Sequence, residues 1–421
     1  MQTANVGRSA AAGPWDTAYE WRVVALLGLG FGLVGLDRWI IATLLPLGMA
    51  ADLGLDVQDG ANVVGALGLA WGVFAIFSGR VADKIGHRKV LIPAIILFSL
   101  LSGLSGAVTG LTSLILVRAL MGAMEGSYCP TSFTAVAAAS RPERRGFNQG
   151  LQQSGFALLG LGLGPIIAIQ LLGVVPSWHW VLWIVAIPGF VVGLLLYFVL
   201  REPAQTQGGA LIGATQSSGH WYEVLKSRNI VVCMLALCCA MSCVFVLSAI
   251  VPTYLVEYLQ ITPGEMSVVT SALGFGGFFG QFGVPGLSDF FGRKITATVS
   301  FVGAAASLWL FAQTGAEPVM LFIGLFIVSF FCLGNVALIT GPIATEAAPV
   351  GLVSSAIGVV VGMGEIFGGG VAPSIAGFVA KNYGIENTLY VALTGVTLGV
   401  LVSLFLRETA PRKTVLAPRP T

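Results

Sequence analysis

Charge is what this chain has least of. Only 10% of its 421 residues are Asp, Glu, Lys or Arg, whereas 56% are hydrophobic and the mean hydropathy is +0.89. A soluble globular protein carries about 25% charged residues. So few charges cannot cover a water-exposed surface, which excludes an ordinary soluble enzyme, a nucleic-acid binder and a disordered scaffold. Histidine is nearly missing. His87 falls in a loop after the second apolar run, His179 in a loop on the opposite face and His220 in a central polar stretch, so a histidine proton relay is not expected. The six cysteines (Cys129, Cys233, Cys238, Cys239, Cys243 and Cys332) sit in apolar segments without metal-ligand spacing, and read as small packing residues. Nucleotide-binding loops and hydrolase motifs are absent as well. The expectation is a protein that is not an enzyme and holds no metal or organic cofactor.

What the chain has is apolar length. Stretches long enough to cross a bilayer begin near Arg22, Ala61, Val90, Leu111, Asn148 and Trp180, and again near Asn229, Glu265, Thr296, Pro318, Leu352 and Thr388. At 1.5 Å per residue, about 20 residues cross the roughly 30 Å hydrocarbon layer. The expected fold is an all-α polytopic membrane protein of twelve transmembrane helices. The alternating ten-residue pattern of a barrel is absent. The expected order is a polar tail without the pattern of a signal peptide (1–21), a six-helix bundle (22–200), a polar linker (201–228), a second six-helix bundle (229–407) and a C-terminal tail (408–421).

The halves repeat at a constant offset of 206. Ala66-Leu-Gly matches Ala272-Leu-Gly, Asp83 matches Asp289, Gly86 matches Gly292, and Leu200-Arg-Glu matches Leu406-Arg-Glu. Parallel six-span repeats suit a rocking transporter with a central site. Of the 21 Lys and Arg, 18 fall on one set of loops and tails, the exceptions being Arg38, Arg118 and Lys381, while Asp52, Asp56, Asp59, Glu257, Glu265 and Glu317 fall on the other. The positive-inside rule then places both termini in the cytoplasm of an integral, multi-pass protein of the plasma (inner) membrane.

The loop Gly79-Arg-Val-Ala-Asp-Lys-Ile-Gly-His-Arg-Lys resembles the signature after the second span of the major facilitator superfamily, Gly-x-x-x-Asp-Arg-x-Gly-Arg-Arg. Pro285-Gly-Leu-Ser-Asp-Phe-Phe-Gly-Arg-Lys is its weaker copy after the eighth. The resemblance covers nearly the whole chain and implies two pseudo-symmetric bundles, alternating access and a monomer. It assigns a cytoplasmic gate to Gly79, Asp83, Gly86 and Arg88 and to Asp289, Gly292 and Arg293. Asp83 can face a helix N-terminus or a basic partner across the halves, and Arg88 can face cytoplasm and anionic lipid. The alternative is a plain topogenic basic loop.

A finer resemblance is to the anion:cation symporter family. Leu36-Asp-Arg in the first span is like its Leu-Asp-Arg, and Arg118-Ala-Leu-Met-Gly-Ala-Met-Glu is like its Arg-x-x-x-Gly-x-x-Glu. Pro142-Glu-Arg-Arg-Gly is like its Pro-Glu-Arg-x-Arg-Gly, one residue shorter. Gly35, Phe156 and Trp71 stand where sugar-acid carriers of that family hold Tyr, Gln and Tyr. These departures imply a less polar site and leave room for a smaller or aromatic carboxylate.

Ionisable residues inside the spans are Asp37, Arg38, Arg118, Glu125 and Glu365, each a functional candidate because intramembrane charge is costly. Arg38 can hold a substrate carboxylate in its planar fork, or merely neutralise Asp37 or Glu125. Arg118 and Glu125 share a helix face, and Tyr128 can hydrogen-bond near Glu125. The resemblance assigns proton coupling to Asp37 and Glu125, with Arg118 beside them; the alternative is a permanent ion pair with Arg118 or Arg38. Glu365 can be a third proton site, a donor to substrate or the partner of a base. Further candidates for substrate contact are Trp39, Trp71, Gln153, Tyr254 and Asn335, with interhelical bonding or packing as the alternative.

The expected function is proton-coupled symport of a small organic anion, a mono- or aromatic carboxylate or sugar acid, with lipid and protons as the other partners. Proton-coupled export is the alternative, because Gly160-Leu-Gly-Leu-Gly-Pro165 partly resembles the antiporter signature of drug exporters. Proton-free anion exchange and a receptor that retains the fold are further alternatives.

Overall fold

The computed structural model describes residues 15–45, 48–55, 57–201 and 221–411. The tail up to residue 14, the linker from 202 to 220 and the tail from 412 lie outside the described residues. The described residues form twelve long helices and no strand. The first six are α1 (Thr17–Leu44), α2 (Val57–Ile85), α3 (His87–Ser105), α4 (Leu111–Ala139), α5 and α6 (Trp178–Val199). Helix α5 runs through Arg145–Phe156, a π-helical stretch Ala157–Leu163 and Gly164–Leu172. The last six are α7 (Arg228–Thr253), α8 (Pro263–Phe291), α9 (Arg293–Gln313), α10 (Pro318–Leu338, continued through a π-helical turn to Ala347), α11 and α12 (Thr388–Ser403). Helix α11 runs through Val353–Gly364, a π-helical stretch Glu365–Val371 and Ala372–Tyr383.

By length and hydropathy, nine of these helices can cross a membrane, and α5 makes a tenth if its two arms, bent by 48°, count as one span. Helices α4 and α8 are long enough, but Arg118 and Glu125 lower the hydropathy of α4, and glycines and Gln281 that of α8. Most helices start a few residues before the apolar run, and α1 and α8 begin at side-chain caps. The Asp16 carboxylate accepts the Tyr19 N–H of α1 at 3.0 Å and an Arg201 bond at 2.9 Å, which hold its pKa below the usual carboxylate value. Thr262 and Glu265 form a reciprocal capping box at the start of α8.

Packing follows the repeat. Helix α2 packs on α4, α3 on α4 and α6, and α1 on α5; in the same way α8 packs on α10, α9 on α10 and α12, and α7 on α11. The two sets of six meet along α2–α11 and α5–α8, again an equivalent pair. Gly86 and Gly292 are single-residue turns with φ of 95° and 102°, a conformation that favours glycine. A turn this short leaves no loop, so His87, expected in one, is instead the buried first residue of α3.

At the α2–α11 contact the backbones nearly touch. A Cβ on Gly79 would lie 2.2 Å from the Ser354 carbonyl oxygen, and one on Gly358 would lie 2.1 Å from that of Ala75. Gly79→Val is expected to destabilise the protein by about 1–3 kcal/mol through overpacking, read as a lower melting temperature in detergent. An unchanged melting temperature would contradict this contact.

Candidate functional site

The last turn of α2 reaches across to the other set of helices. Asp83 accepts the backbone N–H groups of Ser354 (3.0 Å) and Ser355 (2.8 Å) and the Ser355 hydroxyl (2.6 Å). The first N–H groups of a helix lack intrahelical partners, and the helix dipole favours an anion there. Of the two partners the sequence allowed for Asp83, the structure has the helix N-terminus. The copy differs. Asp289 accepts the Phe147 N–H near the start of α5 (3.0 Å), but also bonds to Arg293 (2.6 Å), which is 1% exposed and forks onto Glu346 of α10 at 3.1 and 2.8 Å. Arg88 crosses nothing. It donates to the Tyr197 carbonyl (2.6 Å) and lies over that ring (5.0 Å), pinning α3 to the C-terminal end of α6. The bond lies at the exposed surface, where the carbonyls of a helix end are free acceptors within its reach.

Near the middle of the bundle, Arg38 of α1 forks onto Glu365 of α11. Nη1 donates to Oε1 at 3.1 Å and Nη2 to Oε2 at 2.9 Å, with both side chains buried. Glu365, for which a cytoplasmic-side base was one expected partner, pairs instead with a residue 327 positions earlier. Arg38 pairs with neither Asp37 nor Glu125. Arg118 of α4 donates to the backbone carbonyls of Asp37 (3.0 Å) and Arg38 (3.1 Å), so it fixes the charged dipeptide through the main chain. Asp37 accepts from the Ser102 hydroxyl at 2.8 Å. Glu125 is fully buried, and neither carboxylate oxygen has a hydrogen-bond partner. The charges that act on it belong to Arg118, Asp37, Arg38 and Glu365.

The Arg38–Glu365 pair lies in the wall of a cavity of about 80 Å³ between the two sets of helices. A single water needs only ~10–15 Å³. Trp39, Trp71 and Gln153 also line it. The Arg38 guanidinium carbon is 4.8 Å from the Trp71 ring, 5.4 Å from Phe245 and 5.8 Å from Trp39, a cationic group held among aromatic faces. Phe31, Phe133 and Phe156 extend the aromatic wall with ring contacts of 5.1–5.2 Å. The indole N–H groups of Trp39 and Trp71 and the Gln281 side-chain oxygen make no hydrogen bond. Gln153 is already engaged: it donates to the Ala337 carbonyl (3.3 Å) and accepts from Thr340 (3.0 Å) of α10.

Three expected substrate contacts do not line this cavity. Tyr128 donates to the Leu27 carbonyl (3.3 Å) and not near Glu125, because its helix face is turned to α1 and α3. Tyr254 stacks on Tyr258 (5.2 Å) at the end of α7. Asn335 donates to the Ala297 carbonyl of α9 (3.3 Å), inside the second set of helices. Conversely, Phe245 and Gln281 belong to the wall and were missed. Gln281 is a polar side chain inside a span, a signal the sequence did carry. Phe245 is one of 25 phenylalanines in apolar surroundings and carried none.

Twelve long apolar helices, two equivalent groups of six and a buried charged cavity between them define a membrane transporter. The sequence model of the Major Facilitator Superfamily matches residues 27–284 and 233–421. The chain belongs to the major facilitator superfamily. It is similar to a probable 4-methylmuconolactone transporter of Cupriavidus pinatubonensis, 25% identical over 374 residues that cover 86% of this chain and 84% of that one. It is also similar to the putative niacin/nicotinamide transporter NiaP of Bacillus subtilis, 25% identical over 374 residues that cover 86% and 89%. Its fold matches the solved proton:xylose symporter XylE with a TM-score of 0.76 at 16% identity, over 96% of this chain and all of that one.

Asp83→Ala removes a helix cap and a bond between the two sets of helices at once. It is expected to cost about 0.5–2 kcal/mol of stability, and to slow transport severalfold in reconstituted vesicles. Unchanged flux would reduce Asp83 to a cap without a gating role.

Proposed function

We propose that the chain is a proton-coupled symporter that carries a small organic anion into the cytoplasm, its substrate a compact carboxylate with an aromatic or other apolar ring. The observation that carries this reading is the Arg38 guanidinium set among Trp39, Trp71 and Phe245 in the cavity between the halves. A guanidinium fork fits a carboxylate in two places, and aromatic faces fit a flat apolar body. The unpartnered indole N–H groups of Trp39 and Trp71 and the Gln281 oxygen offer a few polar contacts to the same ligand, fewer than the many hydroxyls of a sugar acid would need. The names of the two relatives point to small ring compounds, methylmuconolactone in one and niacin or nicotinamide in the other, of which niacin is a carboxylate and nicotinamide an amide.

Glu125 and Asp37 are the proton carriers in this reading, with Arg118 setting their geometry. Glu125 is a buried carboxylate without a hydrogen-bond partner, one helical turn from the cavity-lining Cys129. That position lets its protonation respond to what binds. The gate is the basic end of the bundle, where Asp83 and Asp289 tie α2 to α11 and α8 to α5. The positive-inside distribution places that end and both termini in the cytoplasm, in the plasma (inner) membrane. The unit is a monomer surrounded by lipid. Proton-coupled export is the second reading, and one observation favours it: α5 bends by 48° close to its Gly160–Gly164 run.

Proteoliposomes with an inwardly directed pH gradient test this reading with radiolabelled benzoate, gluconate and a lipophilic cation. Benzoate is expected to accumulate, at least tenfold faster than gluconate. Efflux of the cation against no benzoate uptake would replace symport by export. Glu125→Gln is expected to lose gradient-driven accumulation and to keep benzoate exchange; loss of neither would remove Glu125 from coupling. Arg38→Ala is expected to abolish benzoate binding, and retained binding would remove Arg38 from the site.

A further inference from the structure

Arg38 is not a free anion site. Both of its terminal nitrogens are spent on the two oxygens of Glu365, in the fork-to-carboxylate geometry that an incoming carboxylate needs. Glu365 is itself part of the cavity wall, and it comes from the opposite set of helices. The place for a ligand carboxylate is therefore held by a carboxylate of the protein.

Resting on the anion-symport reading above, we infer that Glu365 is a tethered stand-in for the transported carboxylate: the anion enters by replacing Glu365 on Arg38, and Glu365 leaves the pair as a neutral acid by taking up one proton. Charge and protons balance. One negative charge and one proton enter, Arg38 has one carboxylate partner before and after, and the Glu365 carboxyl gains an O–H bond. Release of the anion on the other side returns the proton to water and restores the pair.

Each half of the exchange is unfavourable alone. A proton on Glu365 without an anion leaves the buried Arg38 charge uncompensated. An anion without a proton leaves a displaced carboxylate charged among aromatic side chains. Only the two together keep the cavity neutral, so the pair ties one proton to the anion, in addition to those carried at Glu125 and Asp37, and resists a proton leak. The pair also ties α1 to α11 across the halves, and its exchange frees the halves to move past one another.

The backbone at Glu365 suits such a movement. It opens a π-helical stretch, a local form that recurs at functional positions, and Gly368, Gly369 and Gly370 follow within it. A Cβ at Gly369 would sit 3.4 Å from both Glu365 Oε2 and the Phe245 ring, so glycine there leaves the space beside the carboxylate open. The equivalent stretch of α5 is also π-helical, but carries leucine and glycine and no charge. The device belongs to one half.

The test is benzoate binding to the purified full-length protein in detergent, by titration calorimetry at pH 6, 7 and 8. For the wild type, affinity is expected to fall as pH rises. In Glu365→Gln the slope is expected to fall by one proton, about tenfold in affinity per pH unit, with tighter binding than wild type at pH 8. Glu365→Asp, which keeps the carboxylate, is expected to retain the wild-type slope. Because Glu365→Gln leaves Arg38 without a charged partner and can aggregate, wild type is also titrated at pH 8 in buffers of different ionisation enthalpy. One proton taken up per benzoate bound supports the exchange. Equal slopes in wild type and Glu365→Gln, or no proton uptake by wild type, overturn it while leaving the anion reading intact. No benzoate binding by wild type or either variant overturns the carboxylate reading and this inference with it.

Discussion

A guanidinium that keeps its proton, buried among aromatic rings inside a membrane protein, is the constraint around which the rest is arranged. Burying such a charge alone is prohibitively costly, so the structure must bring it a carboxylate. It does so from the far half of the chain, through Glu365. Arg118 adds the second constraint, holding the main chain of Asp37 and Arg38 from α4. Because the neutralising partner sits across the plane where the halves meet, the charge balance of the cavity is also a contact between the halves. Any ligand that approaches Arg38 meets an existing contact between the halves.

The two repeated loop carboxylates, Asp83 and Asp289, are held by different chemistry. On one side, Asp83 is neutralised by backbone N–H groups at the start of α11, so the link needs no opposite charge. On the other, Asp289 is shared between α5 and a fully formed Arg293–Glu346 fork. A carboxylate on a helix end can let go by exposing itself and a few N–H groups to water, at modest cost. A carboxylate inside a buried charge cluster holds a rigid local structure. The two copies of the repeat thus share a bond across the halves, and the second copy also knits its own half together.

The acidic residues divide by their surroundings as well. Glu365 is spent on Arg38, Asp37 on a serine hydroxyl, and Glu125 on no hydrogen-bond partner at all. The charges of Arg118, Asp37, Arg38 and Glu365 all act on Glu125, so the three carboxylates share one charged neighbourhood.

How much was legible from the sequence follows from range. Hydropathy made most of the twelve helices legible, since a span must be largely apolar whatever surrounds it, while α4 and α8 are too polar to pass on hydropathy and length alone. The offset of 206 revealed the equivalence of Asp83 with Asp289 and of Gly86 with Gly292, because repeats preserve local geometry. Intramembrane charge picked out Arg38, Asp37, Arg118, Glu125 and Glu365, since each is too costly to be incidental. The sequence could not pair them: Arg38 and Glu365 stand 327 positions apart, and which of several acids meets a given base depends on helix rotation and packing. The same limit explains Tyr128, Tyr254 and Asn335, which share the composition of binding residues but face their own neighbours, and Phe245, which looked like any other apolar residue. Solvent pressure on each segment determined what crosses the membrane. Only the packed helices, by choosing which faces meet across the central plane, decided which charges answer one another.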